Sequence, residues 1–191
     1  MRTTESFEDY IDRLEELGIE CIGEGAYACV FQHPTLKNIV VKVFKTKDVE
    51  FAKYLKFCRT HQHNPYVPKI YGHHRSSTEY EIVFLERLKR VRVWQAVSRL
   101  VSKQFTLTKE QAKNLKSAFM MPEPETFREL NKLVKSRAAN PDFEEFWNHI
   151  RTHGPRRLDF HPGNMMLRGK QLVFTDPVGH TPTHFRYGWN S

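Results

Sequence analysis

The period of the apolar residues changes near residue 90, and that change limits the folds open to this chain. Before it, apolar residues come in short strand-like runs at 21–22, 27–32, 39–44, 69–73 and 80–85, separated by Gly and Pro-Thr punctuation. From Val91 to about Thr152 the spacing is helical, with breaks at Met121-Pro122-Glu123-Pro124 and at Asn140-Pro141. Two more strand-like runs, 165–167 and 171–175, close the pattern. Two helices interrupt the early strands. The first spans 6–17: Ser6 and Asp9 have capping-box spacing, Phe7, Ile11, Leu14 and Leu17 share a face, and Gly18 fits the C-terminal cap. The second spans 48–60, with Phe51, Leu55 and Cys58 facing inward. Sheet first, helices second, hairpin last is the order of an α+β chain with segregated lobes, not of alternating α/β. The expected divisions are an acidic N-terminal helix (1–18), a sheet lobe (19–88) and a reduced, mainly helical lobe (89–191).

Composition excludes several classes. A chain of 191 residues with 39% hydrophobic and 13% aromatic side chains has the material for a core and is not a disordered tail. No apolar run approaches the roughly 18 residues of a membrane span. The opening MRTTESFEDYIDRLEEL is acidic and lacks the apolar stretch of a secretory signal. Cys21, Cys29 and Cys58 are odd in number and lack metal-ligand spacing, which points to free thiols and a cytoplasmic setting. Net charge is +8, but residues 1–24 carry eight acidic side chains against Arg2 and Arg13. The rest of the chain is strongly basic, and residues 87–116 hold nine basic side chains against Glu110 alone. Such a body attracts phosphate, acidic protein or nucleic acid, or is a solvated face; protein is preferred here over nucleic acid as a partner.

Three motifs carry chemistry. Gly23-Glu24-Gly25-Ala26-Tyr27-Ala28-Cys29-Val30 lies between two strands and fits a glycine-rich loop that folds over nucleotide phosphates, with Ala28 in the third glycine position. A hairpin with Gly at its turn would read the same way. Twelve residues past Val30, Lys42 sits inside the apolar run Ile39-Val40-Val41-Lys42-Val43-Phe44. A buried ammonium needs an anionic partner, whereas an edge-strand lysine needs only water. Last comes Leu158-Asp159-Phe160-His161-Pro162-Gly163-Asn164, followed by Thr175-Asp176-Pro177. An Asp and an Asn five apart, then a second Asp after a strand-like run, have the spacing for phosphoryl transfer assisted by Mg²⁺, a hard cation that takes oxygen ligands. Each piece alone is also a plain turn. Together and in this order they converge on one chemistry.

On these residues the chain resembles the protein-kinase-like superfamily, and within it the early serine/threonine protein kinases of short-tailed coliphages. The likeness spans about residues 19–90 and 155–179, including the run NPYVPKIY at 64–71. It implies a minimal bilobal protein-kinase-like fold and an ATP- and Mg²⁺-dependent phosphotransferase acting on a host or partner protein. Lys42 would bind the α/β-phosphates beneath the Gly23, Gly25, Ala28 and Val30 loop. Asp159 would be the catalytic base, and Asn164 and Asp176 the metal ligands. Glu86 and Leu88 would meet adenine through their backbones, and Glu50 would orient Lys42. The Asp-Phe-His-Pro-Gly-Asn run also looks like the loop of aminoglycoside-type phosphotransferases, where His161 fills the place of the protein-kinase lysine. Leu158 replaces the arginine that usually precedes the catalytic Asp, and Asp-Pro-Val replaces D-F-G. The sequence given runs fifteen residues past Asp176, so the expectation is a reduced second lobe without the usual peptide-docking helices. Two other classes stay open: a pseudokinase-like module that sequesters a host protein, and a small-molecule kinase.

The ten histidines invite a metal reading. His149 and His153 are four apart on an expected helix but lack a Glu or third ligand at metalloprotease spacing. His61, His63, His73 and His74 are expected in loops. Structural or surface roles are preferred for all six. Cys29 is read as a small apolar side chain under the glycine-rich loop. Trp94, Trp147 and Trp189 are spaced too widely for a stacking platform and are read as packing residues. Arg156-Arg157 and Lys89-Arg90-Val91-Arg92 are read as solvated pairs rather than nucleic-acid contacts.

Overall fold

The computed structural model describes residues 5–75, 80–91, 140–153, 159 and 162–179. These fall into two compact units. One holds the residues through Ala52 together with Lys69–Arg87; the other holds Lys53–Pro68 and the described residues between Leu88 and Gly179.

The first unit opens with helix α1, Phe7–Glu16. Ser6 Oγ accepts from the Asp9 N–H, and the Asp9 carboxylate accepts from the Ser6 N–H, both at 3.1 Å. That pair completes the expected capping box. Past Leu17 the chain turns through Gly18 at φ +69, a conformation a side chain resists. Five antiparallel strands follow: β1 (Cys21–Glu24), β2 (Ala28–Gln32), β3 (Ile39–Phe44), β4 (Ile70–Arg75) and β5 (Glu81–Glu86), arranged β1-β2-β3-β5-β4. Register assigns the faces. Phe31, Val41 and Phe84 are paired across three strands, and with Cys29, Val43 and Ile82 they form the face on which α1 lays Leu14, Phe7, Tyr10 and Ile11. The alternate set, Val30, Lys42 and Val83, projects to the other face.

Helix α2 (Val49–Thr60) begins in the first unit and continues into the second. Asp48, almost wholly buried, accepts from the Glu50 N–H at 2.9 Å and starts the helix. The expected inner residues Phe51, Leu55 and Cys58 are all buried.

The second unit contains helix α3 (Pro141–Ile150), capped by Asn140, whose side chain accepts from the Asp142 and Phe143 N–H groups. The proline sits at the first helical positions, where its missing donor costs nothing. A second sheet joins β6 (Lys89–Arg90), β7 (Met165–Arg168) and β8 (Gln171–Phe174), with Gly169 at φ +61 in the β7–β8 turn. The hairpin was legible in the sequence; β6 was not. Helix α3 supplies Phe143, Phe146, Trp147 and Ile150 to the core, and Phe146 stacks on Phe174 of β8 at 4.6 Å. Trp147 is therefore core packing, as read from the sequence. The segment 64–68 ties these elements together. Asn64 donates to the Asp142 carbonyl (2.7 Å) and to Glu145 (2.9 Å), the Phe174 N–H donates to the Tyr66 carbonyl, and Arg168 donates to the Pro65 and Val67 carbonyls. The remaining helices expected between Val91 and Asn140 fall on residues 92–139, which, with Trp94 and Trp189, lie outside the described residues. Among the described residues no helix is long and apolar enough to cross a membrane.

One histidine in this unit couples folding to pH. His149 stacks on Phe57, with ring centroids 4.1 Å apart, and its Nε2 lies 3.4 Å from that of His153. Burial, then the neighbouring His153 and His61, push its pKa from 6.5 down to about 4. The unfolded chain takes up this proton near its ordinary value and the folded chain does not. The contribution is therefore whole above 6.5 and declines as pH falls towards 4. The urea midpoint is expected to drop between pH 7 and pH 5. His149→Phe, which keeps the stacking and lacks the proton site, is expected to flatten that drop; an equally steep loss in the variant would reject the assignment.

Candidate active site

In the first unit, the loop between β1 and β2 is a tight hairpin. The Gly25 N–H donates to the Ala28 carbonyl at 2.9 Å, and Gly23 pairs with Val30. Gly25, Ala26 and Tyr27 are exposed. The fold does not require glycine at 25: an added Cβ would lie 3.6 Å from the Ala28 carbonyl oxygen, an ordinary contact, and the φ is not positive. Ala28 and Cys29 are buried beneath the loop. Burial pushes the Cys29 thiol above its ordinary pKa, with Cys21 and Glu24 adding to the effect, so it is an inert apolar residue.

Lys42 lies midway along β3, opposite Val30 on one side and Val83 on the other. It is half-buried on the face away from α1. Its Nζ stands 4.6 Å from the centre of the Phe44 ring and 5.2 Å from that of Phe51, the second residue past Val49 on α2. Glu50 occupies the first turn of α2. Glu86 ends β5: its N–H donates to the Lys69 carbonyl at 3.0 Å, and its carboxylate accepts from the Lys69 N–H at 2.8 Å.

In the second unit, the segment that carries Asp159 and Asn164 is tied to the segment that carries Asp176. The Asp159 N–H donates to the Pro177 carbonyl at 2.9 Å. The Asn164 Nδ2–H donates to the Asp159 carbonyl at 3.1 Å. The Asn164 carbonyl accepts from both the N–H and the hydroxyl of Thr175, at 2.8 and 3.1 Å. Asp176 therefore sits between two residues, Thr175 and Pro177, that each bond to the loop. The Asp159 side chain is exposed. With Nδ2 engaged by a carbonyl, the Asn164 amide turns its oxygen, a hard donor, to the other side. An amide oxygen and a carboxylate suit Mg²⁺, which keeps several waters and phosphate ligands of its own. Among the described residues no three His, Cys, Asp or Glu side chains group as a metal cage.

The sequence matches the family described as bacteriophage T7 protein kinase 0.7 over residues 1–187 of 191. The chain belongs to that family. It is accordingly a kinase-like phosphotransferase. No curated protein matches it. Solved structures similar to it are aminoglycoside phosphotransferases. The streptomycin–ATP–APH(2")-IIa ternary complex is 16% identical over 91% of this chain and 72% of that one, with a TM-score of 0.36. A thermostable mutant of APH(4)-Ia with ADP and hygromycin B is 9% identical over 90% and 72%, with a TM-score of 0.41.

Against that family, the expected residues sort by unit. The glycine-rich loop, Lys42, Glu50 and Glu86 belong to the first; Leu88, Asp159, Asn164 and Asp176 belong to the second. His161 and the Arg156-Arg157 pair lie outside the described residues. His73 lies on β4, as the strand-like run 69–73 implies, and His74, expected in a loop, continues that strand. A buried acid lies nearby: His73 Nε2 is 2.9 Å from Glu81 Oε1 on β5, and Glu81 is 1% exposed. His73 is diagonal to Glu81 in the β4–β5 register and gives one oxygen of the buried carboxylate a partner within the sheet. His61 and His63 approach Glu145 at 3.6 and 3.4 Å in a structural cluster.

Sequence reasoning missed Tyr54. Its hydroxyl donates to the Phe174 carbonyl at 2.6 Å, two residues before Asp176. Burial holds its pKa well above the ordinary value, with Cys58 and the nearby charge of Asp176 pushing the same way, so it stays a donor. The only hint in the sequence was a polar tip on the inner face of α2. Tyr54→Phe removes this buried hydrogen bond, which costs about 0.5–1.5 kcal/mol. The variant is expected to unfold at a lower urea midpoint, followed by tryptophan fluorescence; an unchanged midpoint would show that the bond adds nothing to stability.

Proposed function

We propose that this chain transfers the γ-phosphoryl group of ATP, presented with Mg²⁺, to a serine or threonine hydroxyl of a host or partner protein. The observation that carries the reading is the cross-tied arrangement of Asp159, Asn164 and the Thr175–Pro177 segment. A general base and two oxygen ligands are held on neighbouring backbones by hydrogen bonds that need no ligand to form. Membership of a family described as a protein kinase supports a protein acceptor, and the basic body supports an acidic or phosphorylated surface on it.

Asp159, exposed and on a pinned backbone, orients the acceptor hydroxyl and takes its proton. Lys42 holds the α/β-phosphates through its charge. The exposed N–H groups around Gly25 approach phosphate oxygens without a Cβ in the way, which accounts for a glycine the packing does not need. Asn164 and Asp176 would hold Mg²⁺, which when bound neutralises charge on the phosphates. Glu86 and Leu88 are assigned to adenine and Glu50 to the alignment of Lys42. The site of action is the cytoplasm.

Purified chain with γ-labelled ATP, Mg²⁺ and host extract is expected to label proteins. Asp159→Ala is expected to lower transfer by about 10²–10⁴-fold while keeping nucleotide affinity. Asp176→Ala is expected to lose the Mg²⁺ dependence of that affinity. Wild-type turnover by Asp159→Ala would reject the base role. Label confined to a metabolite would favour a small-molecule acceptor, and no label with a co-purifying protein would favour a sequestering module.

A further inference from the structure

Lys42 has a fixed backbone and a flexible side chain. Its strand is paired on both sides, so the Cα position is set by the sheet. The four-carbon stem is not, and ordering it costs about 2 kcal/mol of rotamer entropy. Two rings address that cost. Phe44 follows Lys42 by two residues and shares its sheet face; Phe51 comes from the first turn of α2. Both are 2% exposed, and their centroids are 4.3 Å apart with a 40° interplanar angle. The ammonium lies within 6 Å of both centres, at 4.6 and 5.2 Å. At these distances the negative face of an aromatic ring attracts a cation.

We infer that Phe44 and Phe51 are positioning residues that hold the Lys42 ammonium ready for the nucleotide phosphates. This rests on the phosphate-binding role given to Lys42 above. A ring has a quadrupole and no net charge, so it orders the ammonium without neutralising it. Because Phe51 belongs to the first turn of α2, that turn takes part in aiming the lysine. The benefit appears as affinity: order already present in the free protein is not lost again on binding.

The test replaces Phe51 with 4-fluoro-, 3,5-difluoro- and 3,4,5-trifluorophenylalanine in the full chain, which weakens the ring face with little change of shape. The dissociation constant of Mg²⁺-ATP is expected to rise stepwise with fluorine count, reaching about threefold, the size expected of one exposed-to-half-buried cation–π contact. KM for ATP should follow it while kcat and the thermal midpoint stay level. In a Lys42→Met chain the same series should be flat. A flat series in the native chain, with Lys42→Met still weakening binding, overturns the ring assignment and leaves the lysine's role standing. An equal rise in both chains also overturns it, since the ring then acts without the lysine. Native affinity in Lys42→Met overturns the phosphate role and this inference with it.

Discussion

The pairing register of β3 is the constraint on which the first unit depends. The run Ile39–Phe44 has apolar residues at five of six positions, so hydrophobicity alone does not orient it. Pairing with β2 and β5 does. Val41 and Val43 are set beneath α1, while Lys42 joins Val30 and Val83 on the opposite face. A slip of one residue would exchange these sets and place an ammonium under the apolar Leu14 and Ile11. Helix α1 reinforces the register by closing over one face only, and its capping box starts it where Phe7, Tyr10, Ile11 and Leu14 point inward.

The second unit works by another route. Its candidate catalytic groups stand on irregular backbone, which must satisfy its own polar groups or lose them to water. The loop around Asp159 and Asn164 does so by bonding to Thr175 and Pro177, and β8 is in turn bonded to Tyr66 and Tyr54. Burial raises the Tyr66 hydroxyl to about 12, so it too remains protonated as a partner for Asn140. The run at 64–68 thus works as a scaffold: Asn64 reaches α3, Arg168 reaches back to it from β7, and Phe174 rests on it. The side chains proposed for chemistry hang on this frame, and Asn164 also ties the loop through its bond to the Asp159 carbonyl.

Legibility in the sequence followed locality. Helix α1, strand β3, the inner face of α2, the Asn140-Pro141 helix start and the final hairpin all depend on neighbours within a few residues, and all could be read from period and punctuation. The two-residue strand β6 could not, because Lys89 and Arg90 have no strand pattern and are extended only by pairing with Leu167 and Met166. Nor could the His73–Glu81 pair, since two polar residues eight apart reveal nothing until the β4–β5 register brings them into diagonal contact. Tyr54 looked like one more inward residue of an amphipathic helix, and its partner is 120 positions away.

The order of residue types along the chain was enough by itself to determine the kind of chemistry this protein carries. Glycines, a lysine, two aspartates and an asparagine at set intervals are a chemical inventory, and an inventory is one-dimensional. Tertiary structure decided which atoms are committed and which are presented. It turned the Asn164 amide so that its nitrogen meets Asp159, left Gly25 without a packing reason to be glycine, and set two phenylalanine rings over the Lys42 ammonium. Such choices arise from hydrogen bonds and ring contacts that act only over a few ångströms, and only folding brings their partners that near.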